Sequence, residues 1–220
     1  IWTSLDVATS NTHNIQYQGT PLKPGTKYSW TVRITSTGGV SQDSSVATFT
    51  TGITNWTGQF IGYNTSDQSI APWFRKTFEM SGTSDTTSKS QAFLYVASVG
   101  FCEVTVNGQP VSDGVLLPSI SYLPARVLYR TYEISHLLHV GDNNTIGLWA
   151  SAGWGSYESF QFAQPSQYKR SPLVMAELQI AQQVIVSTDN TWEVRKSTTS
   201  HIGGWGKDPV TGLEGFGGDL

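Results

Sequence analysis

Short stretches of alternating apolar and polar residues follow one another through most of the chain, and they determine its fold class. A period of two places successive side chains on opposite faces of a strand. No long window has the 3.6-residue period of an amphipathic helix. The sequence therefore predicts an all-β fold of the sandwich or jelly-roll type. Strands are expected at 93–98, 101–106, 127–132, 145–150, 173–180, 183–188 and 192–195.

Turn residues between these strands predict two hairpins. Asn107 and Gly108 join two strand patterns, and both residues tolerate the positive φ that a two-residue type I′ turn requires. A second hairpin is expected around Gln182 and Gln183. The one helical prediction is a single turn at 134–138, with Ser135 as its cap.

Near the start of the chain, residues 22–34 have the pattern of a tyrosine corner followed by its strand. A turn at Gly25 precedes Tyr28, which begins a predicted strand at 28–34 whose partner is expected at 46–50. The pattern is typical of fibronectin type III-like sandwiches, where the corner tyrosine opens a late strand. We therefore expect an incomplete sandwich here, with the chain beginning inside a domain.

Turn signals and composition divide the chain into four predicted segments. Residues 1–53 are the C-terminal part of the fibronectin type III-like domain, and 54–58 are a connector. Residues 59–200 form a jelly-roll β-sandwich. Residues 201–220 are rich in glycine and are predicted to connect to a further domain.

Charge, hydropathy and cysteine content exclude several functions. The formal net charge is -3 and the pI is about 5.8, so there is no basic surface for nucleic acid. No apolar run reaches the roughly 18 residues that cross a bilayer, so no membrane partner is expected. The single cysteine, Cys102, shares a strand face with Val104, which predicts a buried thiol and no internal disulfide.

Three N-glycosylation sequons occur in this chain, which is poor in charge and rich in serine and threonine. They begin at Asn55, Asn64 and Asn143. Each triplet alone is a weak signal, but together they favour a glycoprotein. We therefore expect a secreted, extracellular protein.

Several motifs in order resemble the N-terminal β-domains of inverting bacterial and fungal α-L-rhamnosidases. The resemblance covers nearly the whole chain, because the segments at 28–52 and 71–78 also match the family in order. The motifs are Tyr95-Val-Ala-Ser-Val-Gly-Phe-Cys-Glu-Val-Thr-Val-Asn-Gly, Leu117-Pro118, Tyr122, Arg126-Val-Leu-Tyr, Gly141-Asp-Asn and Gly153-Trp154.

The resemblance implies a secreted, multidomain glycoside hydrolase that releases L-rhamnose from glycans or other glycosides. Its partners would be rhamnose-containing glycosides and the remaining domains of the parent enzyme. In that family a helical barrel on the C-terminal side of these β-domains carries out catalysis. Residues 201–220 would lead toward it, and no catalytic residue of the family has a counterpart in this chain.

The acidic residues themselves also indicate a non-catalytic segment. Inverting hydrolysis requires two carboxyl groups about 6.5 to 9.5 Å apart, one of them with a raised pKa. The acids of this chain are spread over strand edges and loops, and none forms a local pair in apolar surroundings. We predict no catalytic site within these residues.

A sugar-binding site is the functional interpretation most open to test. L-rhamnose presents a methyl group and an apolar ring patch beside its hydroxyls, which suit an aromatic platform flanked by hydrogen-bonding groups. Trp154, Tyr157 and Glu158 supply that mixture and are the predicted sugar-binding residues. In the alternative interpretation, Trp149 and Trp154 cover one end of the sandwich.

No cofactor is predicted. Some relatives bind rhamnose in this jelly roll with calcium held by Asp and Asn side chains, but this chain has Ala152 and the loop 119–125 at the corresponding places. His136 and His139 have a spacing that could share a metal on a helix, yet their neighbours predict a packed turn.

An alternative to the rhamnosidase interpretation is a free-standing glycan-binding or adhesive β-sandwich protein.

Overall fold

The computed structural model describes residues 2–4, 7–11, 13, 15–65, 70–80, 91–119, 121–123, 125–151 and 172–200. The chain divides into two compact units, Ile1–Asn55 and Trp56–Leu220, and the division falls inside the segment predicted as a connector. Strands make up the regular structure of the described residues apart from one short 3-10 helix, Ser135–Leu137, so the all-β prediction is confirmed. None of the described helical structure is long and apolar enough to cross a membrane.

The first unit is built on one irregular β-hairpin. On the first arm two residues, 31 and 32, lie between the segments that are paired. On the second arm three residues, 44–46, lie between them. The pairing register therefore shifts by one residue at a bulge. The continuous strand predicted at 28–34 is therefore wrong, because the chain breaks at this bulge. The strands are β1 (Lys27–Trp30), which pairs with β4 (Ala47–Thr50), and β2 (Arg33–Thr35), which pairs with β3 (Ser41–Asp43).

The predicted tyrosine corner is present. The backbone N–H of Lys23 donates to Tyr28 Oη at 2.8 Å, five residues upstream of the ring. Thr51 Oγ1 accepts from the N–H of Thr26 at 2.9 Å and donates to the carbonyl of Lys23 at 2.6 Å. The turn is thereby joined to both arms of the hairpin.

One face of this hairpin is apolar and exposed. Tyr28, Trp30, Val32 and Ile34 alternate with polar residues along one arm. The exposed fraction is 51% for Trp30 and 70% for Ile34. Such a face is normally covered by a second layer of strands. The described residues leave it open to solvent.

The second unit contains two five-stranded antiparallel sheets. The first has the order β10-β7-β12-β13, with β5 also paired to β12, and the second has the order β14-β6-β11-β8-β9. The strands are β5 (Ile61–Gly62), β6 (Ile70–Glu79), β7 (Ala92–Val99), β8 (Phe101–Val106), β9 (Gln109–Pro110), β10 (Tyr129–Glu133), β11 (Asn143–Ser151), β12 (Leu173–Ile180), β13 (Gln183–Ser187) and β14 (Glu193–Ser200).

The core of this unit lies between the two sheets. Leu94 and Leu178 of the first sheet join Phe74 and Leu148 of the second in one buried cluster. Cys102 is part of the same cluster, as its strand position predicts, and burial raises the pKa of its thiol far above the usual value. A thiol in this environment stays protonated and acts as a small apolar group.

Both predicted hairpins of the second unit form. Asn107 and Gly108 have φ values of 51° and 77° and join β8 to β9. Ala181 and Gln182 have φ values of 49° and 68° and join β12 to β13. Ser135 does not cap the helical turn as predicted. The cap position is Ile134, and the Ser135 hydroxyl accepts from the N–H of Ala92 at 2.8 Å instead.

The exposed hairpin face of the first unit gives a testable consequence. We expect the 220-residue chain to bind the hydrophobic dye ANS and to self-associate, because Trp30 and Ile34 offer uncovered apolar area. The double variant Trp30→Ser and Ile34→Ser should lower both signals in fluorescence and sedimentation velocity. Lys27→Ser and Thr48→Ser, on the opposite face of the β1–β4 pair, are the matched control. Equal dye binding by both double variants would contradict this account.

Candidate functional site

The residues predicted to bind sugar, Trp154, Tyr157 and Glu158, lie outside the described residues. The chain before them is described as far as Ser151, the last residue of β11. The structure describes two other candidate features, one on the outer face of each sheet. One is a buried carboxylate on β12, and the other is a pair of tryptophans on β6 and β11.

Glu177 is the buried carboxylate, and it is completely enclosed. Oε2 accepts from the N–H and the hydroxyl of Thr57, each at 2.7 Å, and from the N–H of Gly58 at 3.3 Å. Oε1 accepts from Nε2 of Gln179 at 2.6 Å. We call Glu177, Gln179, Thr57 and Gly58 the connector clamp, because they fix the start of the second unit onto β12.

The connector fits closely at the clamp. A Cβ on Gly58 would lie 3.0 Å from both the Ala176 carbonyl and Thr188 Oγ1, so glycine suits this position. The next residue, Gln59, donates from its N–H to the Thr188 carbonyl at 2.8 Å. The Thr188 hydroxyl in turn donates to the Gln59 carbonyl at 2.7 Å.

Aromatic side chains cover the surface beside the clamp. The ring of Trp56 contacts Tyr129 edge-on, with centroids 5.3 Å apart, and approaches Tyr95 at 6.3 Å. Burial raises the pKa of Tyr95 to about 12, with added contributions from the charges of Tyr129 and Glu177. Its hydroxyl is buried and has no hydrogen-bond partner in the described part. This cluster packs Trp56 against the sheet.

The direction of the pKa shift of Glu177 is the opposite of the one that a catalytic general acid requires. Burial alone would raise the pKa of Glu177, but the hydrogen bonds from Thr57, Gln179 and Gly58 outweigh it and hold that pKa below its usual value. A general acid in glycoside hydrolysis requires the opposite shift. Glu177 is therefore a fixed anion whose acceptor sites are occupied.

A second acid of this sheet, Glu133, is separated from Glu177 by the intervening strand β7. Glu133 lies on β10, opposite Phe93 of β7, whereas Glu177 lies opposite Tyr95 on the other side of β7. Two strand spacings alone separate the backbones by about 10 Å. The Glu133 carboxylate accepts from the N–H of Ser135 at 3.1 Å, beside the 3-10 helix.

Two tryptophans stack on the outer face of the other sheet. Trp73 on β6 lies directly opposite Trp149 on β11, and their rings are 4.7 Å apart and almost parallel, at 6°. Arg195 lies opposite Trp73, and Glu103 lies opposite Trp149. We call these four residues the tryptophan row. It crosses four neighbouring strands.

The tryptophan row is partly exposed and has an unusual polar feature. Both indoles are half-buried, while Arg195 and Glu103 are exposed. Trp149 Nε1 donates to the Ala71 carbonyl at 3.3 Å. Trp73 Nε1 is buried with no hydrogen-bond partner among the described residues, which costs about 1–3 kcal/mol.

The next cross-strand row on this face consists of Glu193, Arg75, Gly147 and Thr105. Gly147 precedes Trp149 by two residues on the same face, between Arg75 and Thr105. A Cβ on Gly147 would lie 2.6 Å from Thr105 Oγ1, so the threonine hydroxyl occupies the space beside the glycine. Arg75 donates to Glu193 Oε2 from Nη2 at 2.6 Å and from Nε at 3.0 Å. This pair adds no net charge to the face.

The three predicted glycosylation sites lie at the surface of the described residues. Asn55, Asn64 and Asn143 are all exposed. Asn143 begins β11, and Asn55 is the last residue of the first unit. The hydroxyl of Thr57, the third residue of the first sequon, is held by Glu177 in the folded protein.

The described residues contain no group of three or more His, Cys, Asp and Glu side chains placed to hold a metal ion. His139 is instead part of a packed turn, because its N–H and carbonyl both bond to the buried side chain of Asn144 at 2.8 Å. His136 lies 4.0 Å from Glu133 through Nδ1. Ala152, one of the positions where calcium ligands are missing, lies outside the described residues.

Sequence reasoning missed both candidate features. Trp149 occupies an outward position of the strand predicted at 145–150, but no predicted strand contains Trp73, so the stacking of the two indoles was not readable from the sequence. Glu177 also occupies an outward position, alternating with buried Ala176 and Leu178. No local pattern indicates that the connector folds over it.

Comparisons with known proteins agree along the chain. Residues 87–204 match the family model described as alpha-L-rhamnosidase N-terminal domain, and residues 1–55 match the one described as Rha78A-like, N-terminal immunoglobulin domain. A protein from Formosa agariphila named alpha-L-rhamnosidase is 27% identical over 217 residues, which covers 90% of this chain and 22% of the relative. The chain thus spans 22% of the length of this curated relative.

Solved structures agree in fold. An alpha-L-rhamnosidase from Dictyoglumus thermophilum has a TM-score of 0.66 and 24% identity, covering 84% of this chain and 22% of that one. A native enzyme of the same name from Aspergillus terreus has a TM-score of 0.67 and 22% identity, covering 83% of this chain and 22% of that one. Both similarities concern the β-fold described above.

The connector clamp predicts a pH-dependent stability. The folded pKa of Glu177 is lowered, so the unfolded chain binds more protons in acid and stability rises with pH. The contribution is complete above the ordinary glutamate pKa of about 4.3 and is lost as pH falls through the folded value. Glu177→Gln should lower the free energy of unfolding by about 2–3 kcal/mol at neutral pH, because an amide cannot accept all these bonds.

Urea denaturation between neutral pH and pH of about 3 measures both effects. The acid-side slope of stability should be smaller in Glu177→Gln than in the unchanged chain. Glu193→Gln is the control, because it removes an exposed ion pair with Arg75 and should cost less than about 1 kcal/mol. Equal slopes for the unchanged chain and Glu177→Gln would contradict the clamp.

Proposed function

Since the chain belongs to the alpha-L-rhamnosidase N-terminal domain family, we propose that it is the non-catalytic β-sandwich portion of a larger α-L-rhamnosidase-like glycoside hydrolase. The substrates of the parent protein are rhamnose-containing glycosides, and its other domains are the chain's partners. The observation that carries the proposal is the state of Glu177. It is the one fully buried carboxylate among the described residues, and it accepts hydrogen bonds from the connector.

The role of the chain in that protein is support. Two sheets with a common apolar core make a rigid body, and the connector clamp fixes the point where the chain enters it. Catalytic groups held elsewhere require such rigid positioning. Trp154, Tyr157 and Glu158 remain the predicted sugar-binding residues.

The parent protein is also proposed to be a secreted glycoprotein. The support is the exposure of all three sequon asparagines, Asn55, Asn64 and Asn143. Surface asparagines in N-x-S/T triplets are the positions that carry N-linked glycans.

Hydrolysis of an aryl α-L-rhamnoside tests the enzymatic part. The 220-residue chain should match the buffer blank, and so should its Glu177→Gln variant, whereas the product of the complete gene should turn the substrate over. Turnover by the chain that Glu177→Gln abolishes would overturn the non-catalytic role. An inactive complete gene product would favour the free-standing glycan-binding alternative.

Expression in a eukaryotic secretory host tests the glycoprotein part. We expect a mass increase that endoglycosidase removes, with glycopeptides at Asn55, Asn64 and Asn143. The triple Asn→Gln variant should migrate at the mass of the bare polypeptide. Secreted protein without any glycan on these three residues would contradict the proposal.

A further inference from the structure

We propose that the N-glycosylation triplets beginning at Asn55 and Asn143 accept a glycan only before the second unit folds, because the folded unit holds both triplets closed. The inference rests on the proposed glycoprotein and orders two events. Glycan transfer comes first, and closure of the connector clamp and of the second sheet follows. The third residue of the remaining triplet, Ser66, lies outside the described residues, so the inference concerns the other two.

Glycan transfer requires access to the whole triplet. The asparagine Nδ2 attacks C1 of an oligosaccharide carried on a polyprenyl diphosphate, so a C1–N bond forms as the C1–O bond to the diphosphate breaks. The diphosphate leaves as an anion, and the amide gives up one proton to a base of the transferase. Because the triplet requires Ser or Thr at its third position, the transferase must also contact that hydroxyl. All three residues therefore have to enter the enzyme together.

The triplet at Asn55 is closed by the connector clamp. Asn55 itself is exposed, but the hydroxyl and the N–H of Thr57 both donate to Glu177 Oε2 at 2.7 Å. The middle residue, Trp56, packs its ring edge-on against Tyr129, with centroids 5.3 Å apart. A transferase can engage the hydroxyl only after Thr57 and Trp56 detach from the sheet.

The triplet at Asn143 is closed more firmly, because it forms the start of β11, which lies between β6 and β8. Its middle residue, Asn144, is completely buried, and its side chain bonds to the N–H and the carbonyl of His139 at 2.8 Å. The N–H of Thr145, the third residue, donates to Asn107 Oδ1 at 2.8 Å. This triplet can leave the sheet only when the second unit unfolds.

Chain order and surface exposure are both compatible with early transfer. The clamp joins Thr57 to Glu177, 120 positions later in the chain. Synthesis at about 5–20 residues per second leaves the Asn55 triplet open for about 6–24 s before Glu177 is made. Asn55 and Asn143 are exposed in the folded unit, so a glycan attached beforehand lies in solvent once the fold has closed.

Glycan transfer in vitro tests the closure directly. The 220-residue chain, made in a bacterial host that lacks N-glycosylation, is incubated with a purified oligosaccharyltransferase and a polyprenyl-diphosphate oligosaccharide. Peptides of residues 50–60 and 138–148 present the same triplets without the fold. Glycopeptide mass spectrometry should show transfer at Asn55 that is about 10-fold or more slower in the folded chain than in the peptide, because only opened molecules react. The corresponding ratio for Asn143 should be larger still.

Gly39→Asn supplies an open triplet in the same folded chain. Position 39 lies in the turn between β2 and β3 with a φ of 79°, which asparagine tolerates, and exposed Val40 and Ser41 follow it. The Ser41 hydroxyl bonds to Thr35 Oγ1 at 2.9 Å at the surface, where water can replace that contact. This triplet should react at nearly the rate of a peptide with the same sequence.

A variant of the clamp tests the cause of the closure. Glu177→Gln should raise the transfer rate at Asn55 by about 5-fold or more, because the Thr57 hydroxyl and N–H are held less firmly. Glu193→Gln removes an exposed acid elsewhere in the second unit and should leave the rate unchanged. Near-ultraviolet circular dichroism verifies that each variant is folded.

Peptide-like transfer rates at Asn55 or Asn143 in the folded chain would overturn the inference. Resistance of the Gly39→Asn triplet would overturn it too, because the fold would then exclude triplets regardless of local contacts. Equal rates at Asn55 in Glu177→Gln and Glu193→Gln would remove the role of the clamp. These rates do not depend on a secretory host, so secreted protein without glycan would remove the glycoprotein part of the proposed function and leave the measured closure standing.

Discussion

The apolar contact between the two five-stranded sheets holds the second unit together, and the features on its outer faces depend on that contact. Because inward positions such as Leu148 and Leu178 are committed to the core, the alternate positions point outward. Trp149 follows Leu148 in the chain, and Glu177 precedes Leu178. The same alternation therefore produces the core, the tryptophan row and the connector clamp.

The outward-facing side chains of the two sheets have different surroundings. On the first sheet they are covered, because Trp56 packs on Tyr129 and Glu177 holds Thr57. On the second sheet Trp73 and Trp149 are half-buried, and Arg195 and Glu103 at the two ends of the row are exposed. The covered face adds buried apolar area to the unit and so contributes to its stability.

Much of the fold could be predicted, because short-range patterns determine it. The period of two located β7, β8 and β12 almost to the residue, and Asn107 with Gly108 identified a turn that requires positive φ at both positions. The tyrosine corner was readable for the same reason, since its hydrogen bond joins residues five apart. The hairpin at Ala181 and Gln182 was located, although neither residue favours positive φ.

What could not be predicted depends on contacts between residues far apart in the chain. Thr57 meets Glu177 across 120 positions, and nothing near either residue indicates the other. The break between β1 and β2 depends on an extra residue in the opposite arm. The most direct test of a non-catalytic sandwich is a carbon-13 titration of the Glu177 side-chain carboxyl. We predict a midpoint below the ordinary value of about 4.3, whereas a midpoint raised to about 6 or above would mark a general acid and contradict the account.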